Sequence, residues 1–350
     1  MRIYKILSNT AQDKHVRAFS GHYLRAYSVK SGFALRPLSR NILYLVLADL
    51  FIRLQNSEYI IKHLVDTGFN QSTKRQVYAN AQRSRLPGTA GKLSGGSAPT
   101  IGLLGRLGGI GARPEQVGFV SDGDGALCAL ALAAKLLDMK NKGDRLEGDV
   151  FISTHVCPNS PTMPHKPVPF MGSHITMQQS NVEEVTPELD AILSVDTTKG
   201  NRVINHRGFA ISNTVMQGYI LPVADDLLNI MEITTGELPY VFPLATQDIT
   251  PYGNGVSHLN SILQPSCATQ APVVGVAITT QTAVPGCATN ASHLNDIENT
   301  ARFMLQVAID FGRGNCRFYN EEEWQLLQAR YGSLNHLQGF GNLPPATEEG

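Results

Sequence analysis

Apolar segments that run into polar residues, and that alternate with small-residue helical stretches, constrain most of what this 350-residue chain can become. Thr100 to Leu104 is a short apolar run of the kind a buried strand requires. Gly148 to His155 (GDVFISTH) passes from apolar residues into Ser153, Thr154 and His155, and Ala191 to Asp196 (AILSVD) ends the same way. Ala271 to Thr280 (APVVGVAITT) is a further strand. Gly125 to Met139 is small and apolar throughout, through Ala126, Leu127, Ala129, Leu130, Ala133, Leu136 and Leu137, and reads as a well-buried helix that Asn141, Lys142, Gly143 and Asp144 break. Ser292 to Phe311 reads as a C-terminal helix. Residues 41–68 read as a helix ending at Gly68, residues 70–98 as strand fragments and loops, and residues 330–350 as a tail. Strands alternating with helices predict an α/β fold: one domain with a central mixed, largely parallel sheet flanked by helices on both faces.

The expected organisation is a basic extension over 1–40, an α/β domain over 41–320 and a C-terminal tail over 321–350. The formal net charge is zero, so a nucleic-acid partner is not expected. That zero conceals an asymmetry. Residues 1–40 hold eight Lys or Arg and one acid, Asp13, which leaves 21 basic against 28 acidic residues in the remainder. Such a segment can be a transit peptide, a nucleic-acid arm or an unstructured extension. The run Ile42 to Ile52 is broken by Asp49 and is too short to span a bilayer, so no membrane association is expected. Five cysteines, with no CxxC pair and no secretory signal pattern, read as reduced thiols and a cytoplasmic location.

Open α/β sheets gather ligands at the carboxyl ends of their strands. Four polar groups fall at or just past such ends: Asp122, His155, Asp196 and His293. Each has a purely structural alternative. Asp122 can N-cap the helix that follows it; Asp124 is a competing ligand whose other role is a cap. Asp196 can stabilise the turn after its strand. His206 can orient another group or pack on a strand, and His165, His174 and His258 read as ordinary polar residues. Cys157 lies two residues from His155 on an extended segment, which puts both on one face. A thiol nucleophile and an inert buried cysteine both fit that spacing. The glycine-rich Gly105 to Gly111 (GRLGGIG) lacks the GK[ST] ending of a phosphate loop, so its glycines are expected to allow close backbone approach.

The segment from Asp122 to Leu130 (DGDGALCAL) resembles the bridging-aspartate motif of the zinc-dependent exopeptidases, of both the carboxypeptidase/deacylase and tetrahedral-aminopeptidase types. Asp196 to Gly208, containing Asn205-His206-Arg207-Gly208, resembles their acidic ligand followed by a strand, and Ala291-Ser292-His293 resembles their last histidine ligand. Order and spacing agree over about 98–312. More specifically, the chain is similar to the family called domain of unknown function 1177, in the phrases Gly105 to Glu115 (GRLGGIGARPE), Thr154 to Asn159 (THVCPN) and Ile249 to Gly255 (ITPYGNG). The exopeptidase resemblance implies a divalent metal, zinc first, on Asp122, Asp196 and His293. The chain departs from that pattern where Arg106 and Gly108 stand at the positions of a ligating His and its Asp, and where His155, Val156 and Cys157 replace a Glu-Glu pair. A guanidinium cannot ligate a metal.

These residues lead to a metal-dependent hydrolase of an amide or peptide-like bond in a small substrate, with a partly degenerate metal site. His155 is the candidate base or fourth ligand, and Arg106 the partner of a substrate carboxylate or oxyanion. The competing expectation is an inactive relative that binds a small acidic ligand through Arg106 and Arg113. The partner is a small molecule or peptide in either case, and the sequence leaves room for a homo-oligomer.

Overall fold

The structure is a computed structural model that describes residues 60–70, 75–106, 110–112, 117–156, 160–163, 170–171, 175–284 and 291–342. In chain order the strands are β1 (Ile60–Asn70), β2 (Arg75–Leu86), β3 (Thr100–Gly105), β4 (Ile110–Ala112), β5 (Val117–Phe119), β6 (Asp149–Val156), β7 (Ser160–Met163), β8 (Phe170–Met171), β9 (Ala191–Thr197), β10 (Gly208–Met216), β11 (Tyr219–Ile220), β12 (Val241–Phe242) and β13 (Val273–Thr279). The helices are α1 (Asp124–Asn141), α2 (Met177–Glu184), α3 (Asp225–Thr235), α4 (Leu294–Gly312) and α5 (Glu321–Tyr331).

Nine strands form the main sheet in the order β1-β2-β6-β3-β9-β13-β10-β11, with β12 beside β10. The expected mixed sheet is present, with its parallel pairing concentrated in the centre. There β6, β3, β9 and β13 run parallel, while β2 joins β6 and β10 joins β13 antiparallel. Every residue of β3, β9 and β13 is buried. This is why their sequences are near-continuous apolar runs rather than alternating ones: parallel strands are covered on both faces. A second sheet has the order β5-β4-β7-β8.

Alternation along the strands sorts the two faces. A Cβ built on Gly105 would lie 2.6 Å from Ala129 Cβ, so that position faces α1. Gly102 looks the other way, toward the Leu189 side chain. The α1 face is closed by Leu130, Leu132 and Ala133 of α1 and by Phe303, Met304 and Val307 of α4, all buried. The opposite face carries a core of Leu104, Phe151, Leu189, Ile192, Phe242, Ile262, Leu263 and Ala277.

Two expected elements differ. Residues 60–68 belong not to a helix but to β1, whose Ile60 to Asp66 pair with Ser84 to Tyr78 of β2. The β-branched content of that stretch (Ile60, Ile61, Val65, Thr67) suits a strand that finds a partner. The rest of the expected 41–68 helix and the whole 1–40 extension lie outside the described residues. The expected tail over 321–350 begins as α5, whose first turn is capped by Asn320 accepting from Glu323 N at 3.1 Å. Trp324, the single tryptophan of the chain, anchors it. Its ring meets Tyr219 edge-on at 5.4 Å, within a cluster that includes Met216 and Leu221. A large aromatic side chain and a few others are enough to dock a short helix that shows little apolar periodicity.

The contact that positions the candidate site is glycine on backbone. A Cβ on Gly125, in the first turn of α1, would lie 2.7 Å from Val195 O and 3.0 Å from Arg106 O. Helix propensity alone would make Gly125→Ala stabilising by about 0.5–1 kcal/mol. Overpacking against immovable backbone costs about 1–3 kcal/mol and wins. Gly125→Ala is therefore expected to lower stability by ~1–2 kcal/mol in urea unfolding, with the start of α1 displaced from the ends of β3 and β9.

Candidate functional site

The parallel register builds the site. Gly105 pairs with Thr154 of β6 and with Val195 of β9, and Arg106 N donates to Val195 O at 2.7 Å. The next residue on each chain segment is therefore His155, Arg106 and Asp196, three neighbours on one rung. Because Gly105 faces α1, these three face the other side, and Arg106 stands between His155 and Asp196. All three are buried, with Arg106 only 1% exposed.

Helix α2 closes this face, and its start is set by a capping box. Thr176 Oγ1 accepts from Gln179 N at 3.2 Å, and Gln179 Oε1 accepts from Thr176 N at 2.8 Å. That start turns Asn181 and Glu184, three residues apart and so on one face, toward the rung. Glu184 spans two of its members. Oε2 accepts from Arg106 Nη1 at 2.5 Å, and Oε1 lies 2.7 Å from His155 Nδ1. Arg106 Nη2 donates to Asn181 Oδ1 at 2.6 Å, and Asn181 Nδ2 donates in turn to Gln264 O at 2.9 Å. Burial penalises the Glu184 carboxylate. Arg106, His155 and Arg83 outweigh it and hold its pKa below the ordinary value. Glu184 therefore stays ionised.

Asp196 is held by Ser261 Oγ at 2.8 Å and by Thr197 N at 2.6 Å. The second bond is a local backbone contact of the kind expected for a turn residue. Burial pushes its carboxyl up to about 6, against the pull of Ser261, Thr197, Arg106 and His155. Asp122 lies in a 3-10 turn, Ser121–Gly123, just before α1. Burial first, then Asp196 and Asp124, push it up to about 8, with Lys199 opposing. Asp124 is fully buried, where Lys199 Nζ reaches its Oδ2 at 3.0 Å and Ser292 Oγ donates to its Oδ1.

The capping expectation fails for both aspartates. The N-cap of α1 is Gly123, with no side-chain cap bond. Asp124 is spent on Lys199 and Ser292 instead. His293 is the exposed N-cap residue of α4, and its charge acts on Asp296. His206 stacks on Tyr240, while His258 stacks on Tyr252 and ties its own loop, with ring nitrogens 3.1 Å from Val256 O and 2.9 Å from Thr250 O. Cys157, Arg113, His165 and His174 lie outside the described residues. Among the described cysteines, burial pushes the thiols of Cys128, Cys267 and Cys316 up, which keeps them unreactive.

The metal expected on Asp122, Asp196 and His293 is a poor fit to what is here. Among the described residues, no three His, Cys, Asp or Glu side chains are grouped to hold an ion. Two nearby acids are already matched by fixed cations, Glu184 by Arg106 and Asp124 by Lys199. Arg106 is also not a free clamp for a substrate carboxylate, because Nη1 and Nη2 are both engaged inside the protein.

Sequence reasoning missed Glu184, Asn181, Asp124 in its ion-pairing role, and Lys199. The Thr176–Gln179 capping box followed by Asn181 and Glu184 at helical spacing was the available signal for the first two. Nothing local announces that Lys199 turns back to Asp124.

Two measurements test this geometry. Removing one partner of a buried ion pair costs about 3–5 kcal/mol. Glu184→Gln is expected to lose that much in urea unfolding, far more than a surface Glu→Gln. The second concerns Asp122, whose folded pKa is raised from 3.8 to about 8. Below about pH 4 both folded and unfolded chains hold the proton, and the group costs nothing. As pH rises toward 8 the unfolded chain ionises first, so this group's contribution destabilises the fold progressively. Asp122→Asn should melt near the wild-type temperature at pH 4 and several degrees above it at pH 8. A variant that melts lower at pH 8 would mean that the carboxylate is compensated in the native protein.

Among solved structures, the chain is similar to a cytosol aminopeptidase from Coxiella burnetii, with 11% identity and a TM-score of 0.43 over 80% of this chain and 65% of that one. It thus spans less than two thirds of that enzyme's length. It is also similar to a glutaminyl cyclase from an Acidobacteriales bacterium, at 12% identity and a TM-score of 0.43 over 82% and 100% of the two chains. A Zn-dependent exopeptidase from Parabacteroides distasonis gives 8% identity and a TM-score of 0.43 over 84% and 96%. No curated protein matches the chain. The family described as "Protein of unknown function (DUF1177)" matches residues 70–341, about three quarters of the sequence, and the chain belongs to that family.

Proposed function

We propose that the protein hydrolyses an amide or peptide-like bond in a small substrate, with His155 as general base and Asp122 as general acid. The observation that carries this reading is the 2.7 Å contact between Glu184 Oε1 and His155 Nδ1. An ionised carboxylate on one ring nitrogen fixes the imidazole's orientation and tautomer, and it stabilises the imidazolium that forms when the other nitrogen takes a proton. His155 Nε2 is then the basic atom at the strand ends. Glu184 is itself held by Arg106, so Arg106 and Asn181 are positioning residues.

Amide hydrolysis also needs a proton for the departing nitrogen. Asp122, pushed up to about 8, carries one at neutral pH. In this sequence Nε2 takes a proton from water, and the resulting hydroxide bonds to the carbonyl carbon. Asp122 then protonates the nitrogen as the C–N bond breaks. Return of the imidazolium proton to the Asp122 carboxylate restores the starting state. Every proton is held by a group of this chain. The choice of a peptide-like amide rests on the resemblance of the Asp122 and Asp196 segments to exopeptidase motifs.

A panel of dipeptides and N-acyl amino acids, each with and without zinc, manganese or cobalt, tests the proposal. Turnover of at least one class is expected, falling as pH rises through about 8, where Asp122 loses its proton. His155→Ala should lower kcat by about 10²–10⁴-fold, and Asp122→Asn should do at least as much harm while leaving the protein folded. No turnover on any substrate under any metal condition would retire the reading.

A further inference from the structure

The buried carboxylates of this site fall into two groups, each holding one fixed cation. On the rung, Arg106 lies between the Asp196 and His155 positions and bonds Glu184 and Asn181. Its charge lowers the carboxyl pKa of both Glu184 and Asp196. In front of α1, the Lys199 side chain, 3% exposed, pairs with Asp124 and also opposes the upward shift of Asp122. Two of these carboxylates thus hold a fixed cation by direct contact, Glu184 through Arg106 and Asp124 through Lys199. The two cations come from the chain itself, one just past β3 and the other just past β9.

The departure in sequence and this arrangement share one physical meaning. Arg106 stands where the exopeptidase pattern has a ligating histidine, and a guanidinium remains protonated at any pH the fold survives. It cannot donate a lone pair, and it repels a divalent ion brought against the same carboxylates. Yet it supplies what carboxylates gathered in a low-dielectric interior require, a nearby positive charge.

We infer that Arg106 and Lys199 are resident cations that fill the electrostatic role of a divalent metal, so the site is assembled and stable without one. The inference stands apart from the hydrolase reading. Metal content and melting behaviour decide it, whereas the amide panel decides the other, and either can fail alone.

The test uses the full-length protein purified without chelator. Elemental analysis after gel filtration is expected to find well under one zinc, manganese, cobalt or iron per chain. The melting temperature should be unchanged within about a degree by EDTA or by added zinc. About one tightly held divalent ion per chain, or a marked fall in melting temperature on chelation, overturns the inference. Variants keep it falsifiable if the wild type is metal-free for some other reason. Arg106→Lys retains the charge and loses the planar fork, while Arg106→Gln has a similar reach and no charge. Arg106→Lys should retain clearly more of the wild-type melting temperature at pH 7 than Arg106→Gln. The Arg106→Gln deficit should narrow toward pH 4, where the carboxylates it leaves unmatched take up protons. Equal losses at both pH values would make Arg106 a packing residue and overturn the inference.

Discussion

Glu184 meets Arg106 with one carboxylate oxygen and His155 with the other, in a setting where all three groups are almost fully withdrawn from water. An ionised carboxylate left alone there would not survive as a charge, because desolvation would drive it to take up a proton. The guanidinium prevents this. A charged Glu184 then gives the imidazole a defined orientation, and the α2 capping box puts Glu184 where it can do so. The chemistry proposed for His155 depends on this chain of contacts, each link of which comes from a different segment of the sequence.

Two aspartates stand in contrast to that well-compensated group. Asp122 and Asp196 are raised by burial and, for Asp122, by its acidic neighbours. A fold selected for stability alone would replace Asp122 by a neutral residue. It is buried instead in a 3-10 turn just before α1, and a buried acid with a raised pKa is the kind of group the proposed chemistry uses. The packing that creates this environment is severe. Gly105 and Gly125 leave no room for a Cβ where α1 crosses the ends of β3 and β9.

The central architecture was legible in the sequence because its physical causes are local. Continuous apolar runs from Thr100, Asp149, Ala191 and Val273 cannot be anything but covered strands when polar residues end them and helical stretches intervene. Residues 60–68 were misread because strand β1 depends on its pairing with β2, a contact invisible to periodicity. Residues 321–331 were misread because the helix docks through few side chains, Trp324 and Leu327 among them, too few to make a periodic pattern.

For the site the division is equally clear. The sequence by itself pointed to Asp122, His155, Asp196 and His293 as strand-end groups; the first three lie at or just past the ends of β5, β6 and β9, while His293 is the N-cap residue of α4. It also put Arg106 at the position where a resemblance to exopeptidase motifs would have a histidine. Only the tertiary structure decided what those groups do to one another. The register of β3 against β6 and β9 set Arg106 between His155 and Asp196, α2 brought in Glu184, and the turn after β9 carried Lys199 to Asp124. The charge state of a buried carboxyl is a property of its neighbours in space, and those neighbours lie tens of residues away in the chain.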